Sequence, residues 1–249
     1  MFQKERIENI TDLLKKNGFV TVKFLCDELH YSTATINRDL NFMQQQKLIK
    51  RSYGGAELIK RDYVPLMFRY NKMRPSKNKI GKIAASYIND GDTIFLDGST
   101  TTQYISKYIT EKKNITVITN NMALVSFFSE YEINVICLGG RIVEKPYILC
   151  GEETLENAMK YNADKFFFST GGVTEKGEIL SGGMLSLMNK IMADRSKEVF
   201  YLADYRKITD AISGKQTLFS FDKVDYVITD YVYSDEVKNY FSGTQFVEI

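Results

Sequence analysis

Apolar residues recur at helical spacing early in the chain and in short strand-like runs later, and the change of pattern divides the sequence in two. Ile7, Ile10, Leu13 and Leu14 share one helical face, and Asn17-Gly18 supplies a stop. Phe19-Val20-Thr21 reads as a brief extended piece. Val22, Leu25, Cys26 and Leu29 repeat the i, i+3, i+4, i+7 spacing on a second helix. His30-Tyr31 marks a tight turn, and Ser32 is suited to cap a third helix whose Ile36, Leu40 and Met43 face inward. From Lys47 to Ala56 a basic strand, a Gly54-Gly55 turn and a return strand make a wing.

Beyond Lys79 the pattern alternates. Ile80, Ile83, Ala84, Tyr87 and Ile88 form a helix stripe, and Asn89-Asp90-Gly91-Asp92 a turn. Thr93–Leu96 is a strand and Thr101–Ile109 a helix. Further strands are expected at Ile115–Ile118, Ile133–Leu138, Phe166–Phe168, Val199–Leu202 and Tyr226–Ile228. Such alternation predicts an α/β fold, an open and mainly parallel sheet with helices on both faces. Phe166-Phe167-Phe168 reads as buried strand rather than a stacking platform. Pro65 and Pro75 fall in a stretch without lasting periodicity. The expected organisation is therefore a small domain at 1–57, a linker at 58–75 and an α/β domain at 76–249.

Composition narrows the classes. An apolar content of 44% supports a full core and excludes a generally disordered chain. No run of 18 apolar residues occurs, and MFQKERIENI has no apolar h-region, so a cytoplasmic protein without membrane contact is expected. Cys26, Cys137 and Cys150 suit a reducing compartment and lack zinc-ligand spacing. His30 is the single histidine, which argues against a His-based triad or a multi-His metal site; no cofactor is expected. His30, Cys137 and Cys150 read as structural. The net charge of +2 hides an asymmetry. Residues 1–79 carry 16 Lys and Arg against 8 Asp and Glu, whereas residues 80–249 carry 17 against 23. A basic end on an acidic body points to a polyanion-binding module, with a solvated charge run as the plainer alternative.

The third helix gives that module a chemistry. Its outer face holds Thr33, Thr35, Asn37, Arg38 and Asn41. With Ser32, the short hydroxyls suit phosphates, while the amide and guanidinium can reach base edges in a major groove. Lys50, Arg51 and Tyr53 on the wing can lie along the DNA backbone. The alternative is a three-helix module with merely solvated polar residues.

In open sheets, ligands sit beyond the carboxyl ends of the strands. Asp97, Gly98, Ser99, Thr100 and Thr101 follow the first such strand and open a helix, an arrangement that favours an anion. Thr119, Asn120 and Asn121 follow the next strand, then Gly139, Gly140 and Arg141, then Gly171-Gly172, then Asp204 and Lys207. Each loop alone is equally a cap or a turn. Together they suggest a phosphorylated polar ligand. Neither the G-x-G-x-x-G nor the G-x-x-x-x-G-K-[ST] motif is present, so dinucleotides and nucleoside triphosphates have little support.

Ser32–Leu40 with Tyr53-Gly54-Gly55-Ala56 resembles the DNA-binding signature of the DeoR/GlpR transcriptional regulators. Asn37 and Tyr53 stand where that family usually has Arg and His. The resemblance continues through Lys79–Thr102, Thr119-Asn120-Asn121, Gly139-Gly140, Gly151 and Asp204 with Lys207. It implies a winged helix-turn-helix followed by a Rossmann-like sensor domain related in fold to sugar-phosphate isomerases and coenzyme A transferases. It also implies a repressor of a carbohydrate operon, operator DNA as partner, a phosphorylated sugar or sugar alcohol as effector, and a homodimer or higher oligomer. The Tyr205-Arg206 pair and Ser181-Gly182-Gly183 depart from the family pattern. Two other classes stay open: an isomerase-like enzyme using Asp97 or Asp204 as base beside Lys207, and an interaction scaffold.

Overall fold

The computed structural model describes residues 3–46, 48–52, 54–58, 73–144, 147–208 and 216–249. It divides into two compact units, Met1–Lys72 and Met73–Ile249.

The first unit runs α1 (Gln3–Asn17), β1 (Phe19–Thr21), α2 (Val22–Leu29), α3 (Thr33–Gln45), β2 (Ile49–Ser52) and β3 (Gly55–Leu58). The expected stops and caps are present. Gly18, at φ +74°, donates its N–H to Leu14 O at 2.9 Å. Thr21 caps α2 and Ser32 caps α3, and His30 closes α2 in the left-handed region. Ile7, Ile10, Leu14, Leu25, Ile36, Leu40 and Met43 form the core. Phe19–Thr21 is a third strand of the wing, giving the antiparallel order β1-β3-β2. Gly55 is required there, because a Cβ would lie 2.3 Å from Val20 O.

Spacing of apolar residues alone overlooks Asp39, which is fully buried on α3. Its carboxylate accepts two bonds from Arg6 of α1, Nε to Oδ2 at 2.7 Å and Nη2 to Oδ1 at 3.1 Å. The hydrogen bond to Asp39 pushes the Arg6 guanidinium to still higher pKa, and the guanidinium also lies over the Tyr31 ring.

The second unit is built on a seven-stranded parallel sheet. Its strands are β4 (Thr93–Leu96), β5 (Thr116–Thr119), β6 (Asn134–Cys137), β9 (Ala163–Phe168), β12 (Ser196–Ala203), β14 (Tyr226–Thr229) and β15 (Gln245–Glu248). They lie in the order β15-β14-β12-β9-β4-β5-β6. The chain builds outward from β4 through β5 to β6, returns to the other side of β4 as β9, and continues to β15. The switch point therefore lies between β4 and β9. Both faces are covered, which is why the strands read as unbroken apolar runs. Phe166 and Phe168 enter the core on one face and Phe167 that on the other. Phe167, Phe200 and Tyr226 stack side by side on β9, β12 and β14, at centroid distances of 4.5 and 4.4 Å.

One face packs against α4 (Arg74–Ser86), a 3₁₀ helix (Thr102–Tyr108) and α5 (Met122–Phe128). The other packs against α6 (Glu152–Ala158) and α7 (Gly183–Asp194), with the aromatic side chains of Phe221, Tyr233 and Phe241. A last helix is α8 (Asp235–Tyr240). Two small sheets had no counterpart in the reading of the sequence: the hairpin β7 (Arg141–Glu144) with β8 (Ile148–Cys150), and β10 (Gly172–Val173), β11 (Glu178–Ser181) and β13 (Gln216–Ser220) in line. The helix expected at Thr101–Ile109 is the 3₁₀ segment Thr102–Tyr108. Hydroxyls of Ser99 and Thr102 bond to nearby backbone and to each other, tightening the turn. Cys150 is buried, whereas Cys137 is exposed at the end of edge strand β6.

At the sheet's N-terminal edge, carboxylates hold neighbouring strands. Asp164 accepts from Thr93 N at 2.9 Å and Asp225 from Val199 N at 2.7 Å. Lys165 pairs with Asp92 at 2.6 Å. That edge is occupied by structural bonds.

Replacing Arg6 by Met should strand the buried Asp39 carboxylate and cost the first unit roughly 3–5 kcal/mol. Amide exchange in α1 and α3 of the full chain should accelerate, with the second unit unchanged. The Arg6→Met/Asp39→Leu pair should recover most of the loss, and equal exchange in wild type and single variant would contradict the assignment.

Candidate functional site

On the first unit, α3 presents its N-terminal half outward. Ser32 Oγ accepts from Thr35 N at 3.3 Å and lies 3.0 Å from Thr35 Oγ1. Ser32 and Thr33 are exposed and Thr35 half-buried. Arg38 and Lys50 are exposed, and neither makes a hydrogen bond or ion pair with a described residue. Arg38, Asn37, Asn41 and Gln45 border an open groove with Gln3 of α1. Arg51 was expected along the DNA backbone. Instead its guanidinium is turned onto α3, donating to Asn41 and to Asn37. Tyr53 and Lys47 lie outside the described residues.

On the second unit, the strand ends at the switch point are drawn together by Asp97, which is 5% exposed. Its Oδ1 accepts from Ser99 N at 3.0 Å and Thr102 Oγ1 at 2.8 Å, and its Oδ2 from Ser169 N at 3.2 Å. Burial pushes the carboxyl above its ordinary pKa, opposed by the bonds from Ser99, Ser169 and Thr102. Both oxygens are therefore engaged in shaping the loop, which leaves Asp97 poorly placed as a base.

Lys207 joins three strand ends. Its Nζ donates to Thr101 Oγ1 at 3.0 Å, in the loop after β4, and to Ser169 Oγ, directly after β9. The lysine itself follows β12. Ser169 in turn donates to Leu202 O of β12. From the other side Lys77 of α4, itself buried, donates to Thr100 Oγ1 at 2.9 Å. Two ammonium groups thus flank the hydroxyls of Thr100 and Thr101. Asp204 is 3% exposed, and its carboxylate accepts no hydrogen bond from a described residue. Burial raises the pKa of the nearby Tyr201 phenol, and the charges of Asp204 and Asp97 add to the shift.

The loop after β5 abuts this one. Thr119 Oγ1 donates to Leu96 O at 2.7 Å and Asn120 Nδ2 to Leu149 O at 2.7 Å. Gly98 admits this approach: a Cβ would meet Ile148 at 2.9 Å and Asn120 Oδ1 at 3.4 Å. Asn120 Oδ1 and Asn121 Nδ2 are buried without a hydrogen-bond partner among the described residues. A polar ligand would satisfy both.

Gly139, Gly140 and Arg141 do not join the cluster. Gly140 has φ +104°, and a Cβ there would sit 1.9 Å from Thr154 Oγ1, so the glycines fit the strand end against α6. Arg141 is exposed on β7. Among the described residues, no hydrogen bond or ion pair links these three to the Asp97 loop. Gly171 is exposed in the turn that Thr170 closes by donating to Gly172 O.

Two members of the cluster escaped the reading of the sequence. Lys77 lies three residues before Ile80, on the buried face of α4, and a cation at an apolar-face position was its available signal. Ser169 is a hydroxyl directly after a buried strand, with no local motif to mark it.

Residues 6–62 match the model of the DeoR-like helix-turn-helix domain, and residues 72–231 that of the DeoR C terminal sensor domain. The HTH-type transcriptional repressor GlcR of Bacillus subtilis is 32% identical over 236 residues, 92% of this chain and 89% of that one. The HTH-type transcriptional regulator IolR of the same organism is 30% identical over 94% of each chain. The glycerol-3-phosphate regulon repressor of Escherichia coli is 26% identical over 94% of this chain and 92% of its own. Among solved structures, a ribose 5-phosphate isomerase A from Methanocaldococcus jannaschii aligns over 53% of each chain at 23% identity and a TM-score of 0.39, a likeness too slight to carry function. With both domain models matched in order along one chain, and relatives aligned over nearly its whole length, the protein belongs to the DeoR family of transcriptional regulators.

Proposed function

We propose that this protein is a DNA-binding repressor of a carbohydrate-utilisation operon, released from its operator by a phosphorylated sugar or sugar alcohol. The observation that carries the effector reading is the convergence of three strand ends on Lys207. In this reading the phosphate lies on the Ser99–Thr101 loop, with Lys77 and Lys207 supplying positive charge. The free polar atoms of Asn120 and Asn121 and the unengaged carboxylate of Asp204 bind sugar hydroxyls. Gly98 lets the Asn120 loop close up against the Ser99–Thr101 loop. The bonds that Asp97 accepts take it out as a base and leave Asp204 as the carboxylate an isomerase-like reaction would need; the match of both domains to transcriptional regulators favours binding over turnover.

In the first unit, α3 enters the major groove and Arg38 reads a base edge. Ser32, Thr33 and Thr35 face phosphates, and Lys50 and Tyr53 follow the backbone from the wing. The protein works in the cytoplasm as a homodimer or higher oligomer, since paired heads read paired half-sites. An effector releases DNA only by the difference in its affinity for the two states.

A thermal-shift series pairing each sugar phosphate with its free sugar tests the effector site. A cognate ester at about 100 times its dissociation constant should add about 2.7 kcal/mol, a rise in Tm of roughly 5–10 °C. The free sugar should give little shift, and Lys207→Met should abolish the effect of the ester. Equal shifts with esters and free sugars would overturn the phosphate reading.

On DNA, Arg38→Ala should lose about 1–3 kcal/mol for the operator, a fall of roughly 5–150-fold, and relax preference at one base position. Lys50→Ala should weaken all sequences alike and reduce the salt slope by about 1. Operator affinity unchanged in Arg38→Ala, measured by fluorescence anisotropy, would contradict the placement of α3.

A further inference from the structure

The arginine of the wing acts on the reading helix. Arg51 Nη1 donates to Asn41 Oδ1 and Nη2 to Asn37 Oδ1, each at 2.5 Å. A guanidinium has donors only, so it fixes which way each carboxamide points: the oxygens face Arg51. Asn37 is held a second time, since its Nδ2 donates to Thr33 O at 2.9 Å. Both asparagines border the groove beside the exposed Arg38.

Asparagine reads adenine with both ends of its amide, accepting from N6 and donating to N7. With Oδ1 turned to Arg51 and one of its lone pairs taken, neither Asn37 nor Asn41 can swing its carboxamide to lay both ends along an adenine without giving up that bond. Among the described residues, the amide hydrogens left without a partner are one N–H of Asn37 and both of Asn41, on the groove that Arg38 also borders. We propose that Arg51 is a specificity-positioning residue: it restricts this part of α3 to hydrogen-bond donors. The operator is then read at acceptor edges, guanine N7 and O6 or thymine O4, and adenine is disfavoured opposite Asn37 and Asn41. Arg51 does this through the two asparagines, without contacting a base, and its charge is directed to the helix instead of a phosphate. The inference rests on the reading of α3 as the helix in the major groove.

The test is selection of operator sequences from a randomised duplex library by the full-length wild type, Arg51→Met and Arg51→Lys, followed by salt titration of each on its selected sequence. Lysine keeps the charge, but its single ammonium lacks the fork that spans both carboxamides. The wild type should enrich guanine or thymine at the positions facing α3. Both variants should admit adenine at one or two of those positions, raising its frequency several-fold, with salt slopes like that of the wild type. A lysine variant that selects the wild-type operator, while the methionine variant loses about 1 in salt slope, would make Arg51 a phosphate contact and overturn the proposal. Identical base preferences in all three proteins would do the same. Enrichment of no sequence by the wild type would overturn the DNA-reading function itself, a failure distinct from the other two.

Discussion

The C-terminal edge of the large sheet is organised by a carboxylate that must be buried and yet remain hydrogen-bonded. Asp97 stands at the point where the chain reverses its direction of growth, so the loops after β4 and β9 necessarily part there. Its three accepted bonds hold the β4 loop in shape and tie it to Ser169 after β9. Only with that loop fixed do Thr100 and Thr101 present their hydroxyls to Lys77 and Lys207. The same bonds explain why a buried carboxylate in a loop of hydroxyls is a scaffold: both oxygens are already aimed at donors of the protein itself, Ser99, Thr102 and Ser169.

Much of this was legible in the sequence. The three N-terminal helices, the stop at Gly18, the cap at Ser32 and the wing follow from apolar spacing and local residue types, because helix termini are set by local bonds; the cap that Thr21 supplies to α2 escaped that reading. The parallel sheet follows from short apolar runs, because strands buried on both faces have no polar side to alternate with. The ligand loops follow from residue type at strand ends. What stayed hidden has a common cause. Arg6–Asp39, Lys77–Thr100 and Lys207–Ser169 join residues 23 to 38 positions apart, and a charged residue bonded at long range looks in sequence like a solvated one. Asp39 and Lys77 occupy inward positions that apolar counting skips. Strand β15 and most strands of the small sheets carry only brief apolar pairs flanked by polar residues, so they do not stand out from loops.

The cations of the two units fall into two kinds. Arg38 and Lys50 face solvent without a partner among the described residues, and such groups form new contacts without first losing old ones. Arg6, Arg51, Lys77 and Lys207 are each bound to a neighbouring side chain. Charge counting does not tell the two kinds apart. Geometry separates those that stand open to solvent from those that are bonded within the protein.

Asp39, next in sequence to Arg38, bears on how such a head can diverge. The carboxylate points inward to Arg6 while the neighbouring guanidinium points outward, so a rotation of α3 about its axis would break the ion pair before it gave Arg38 a new direction. On the proposed function, the angle at which α3 meets DNA is thereby fixed. New target sequences would be reachable by single exchanges at outer-face positions such as 37, 38 and 41, each leaving the Arg6–Asp39 pair intact. Re-aiming the helix would demand simultaneous change at residues 6 and 39, a step across a valley of unstable intermediates. Paralogues that keep the pair should therefore differ in the letters they read and share the grid on which they read them.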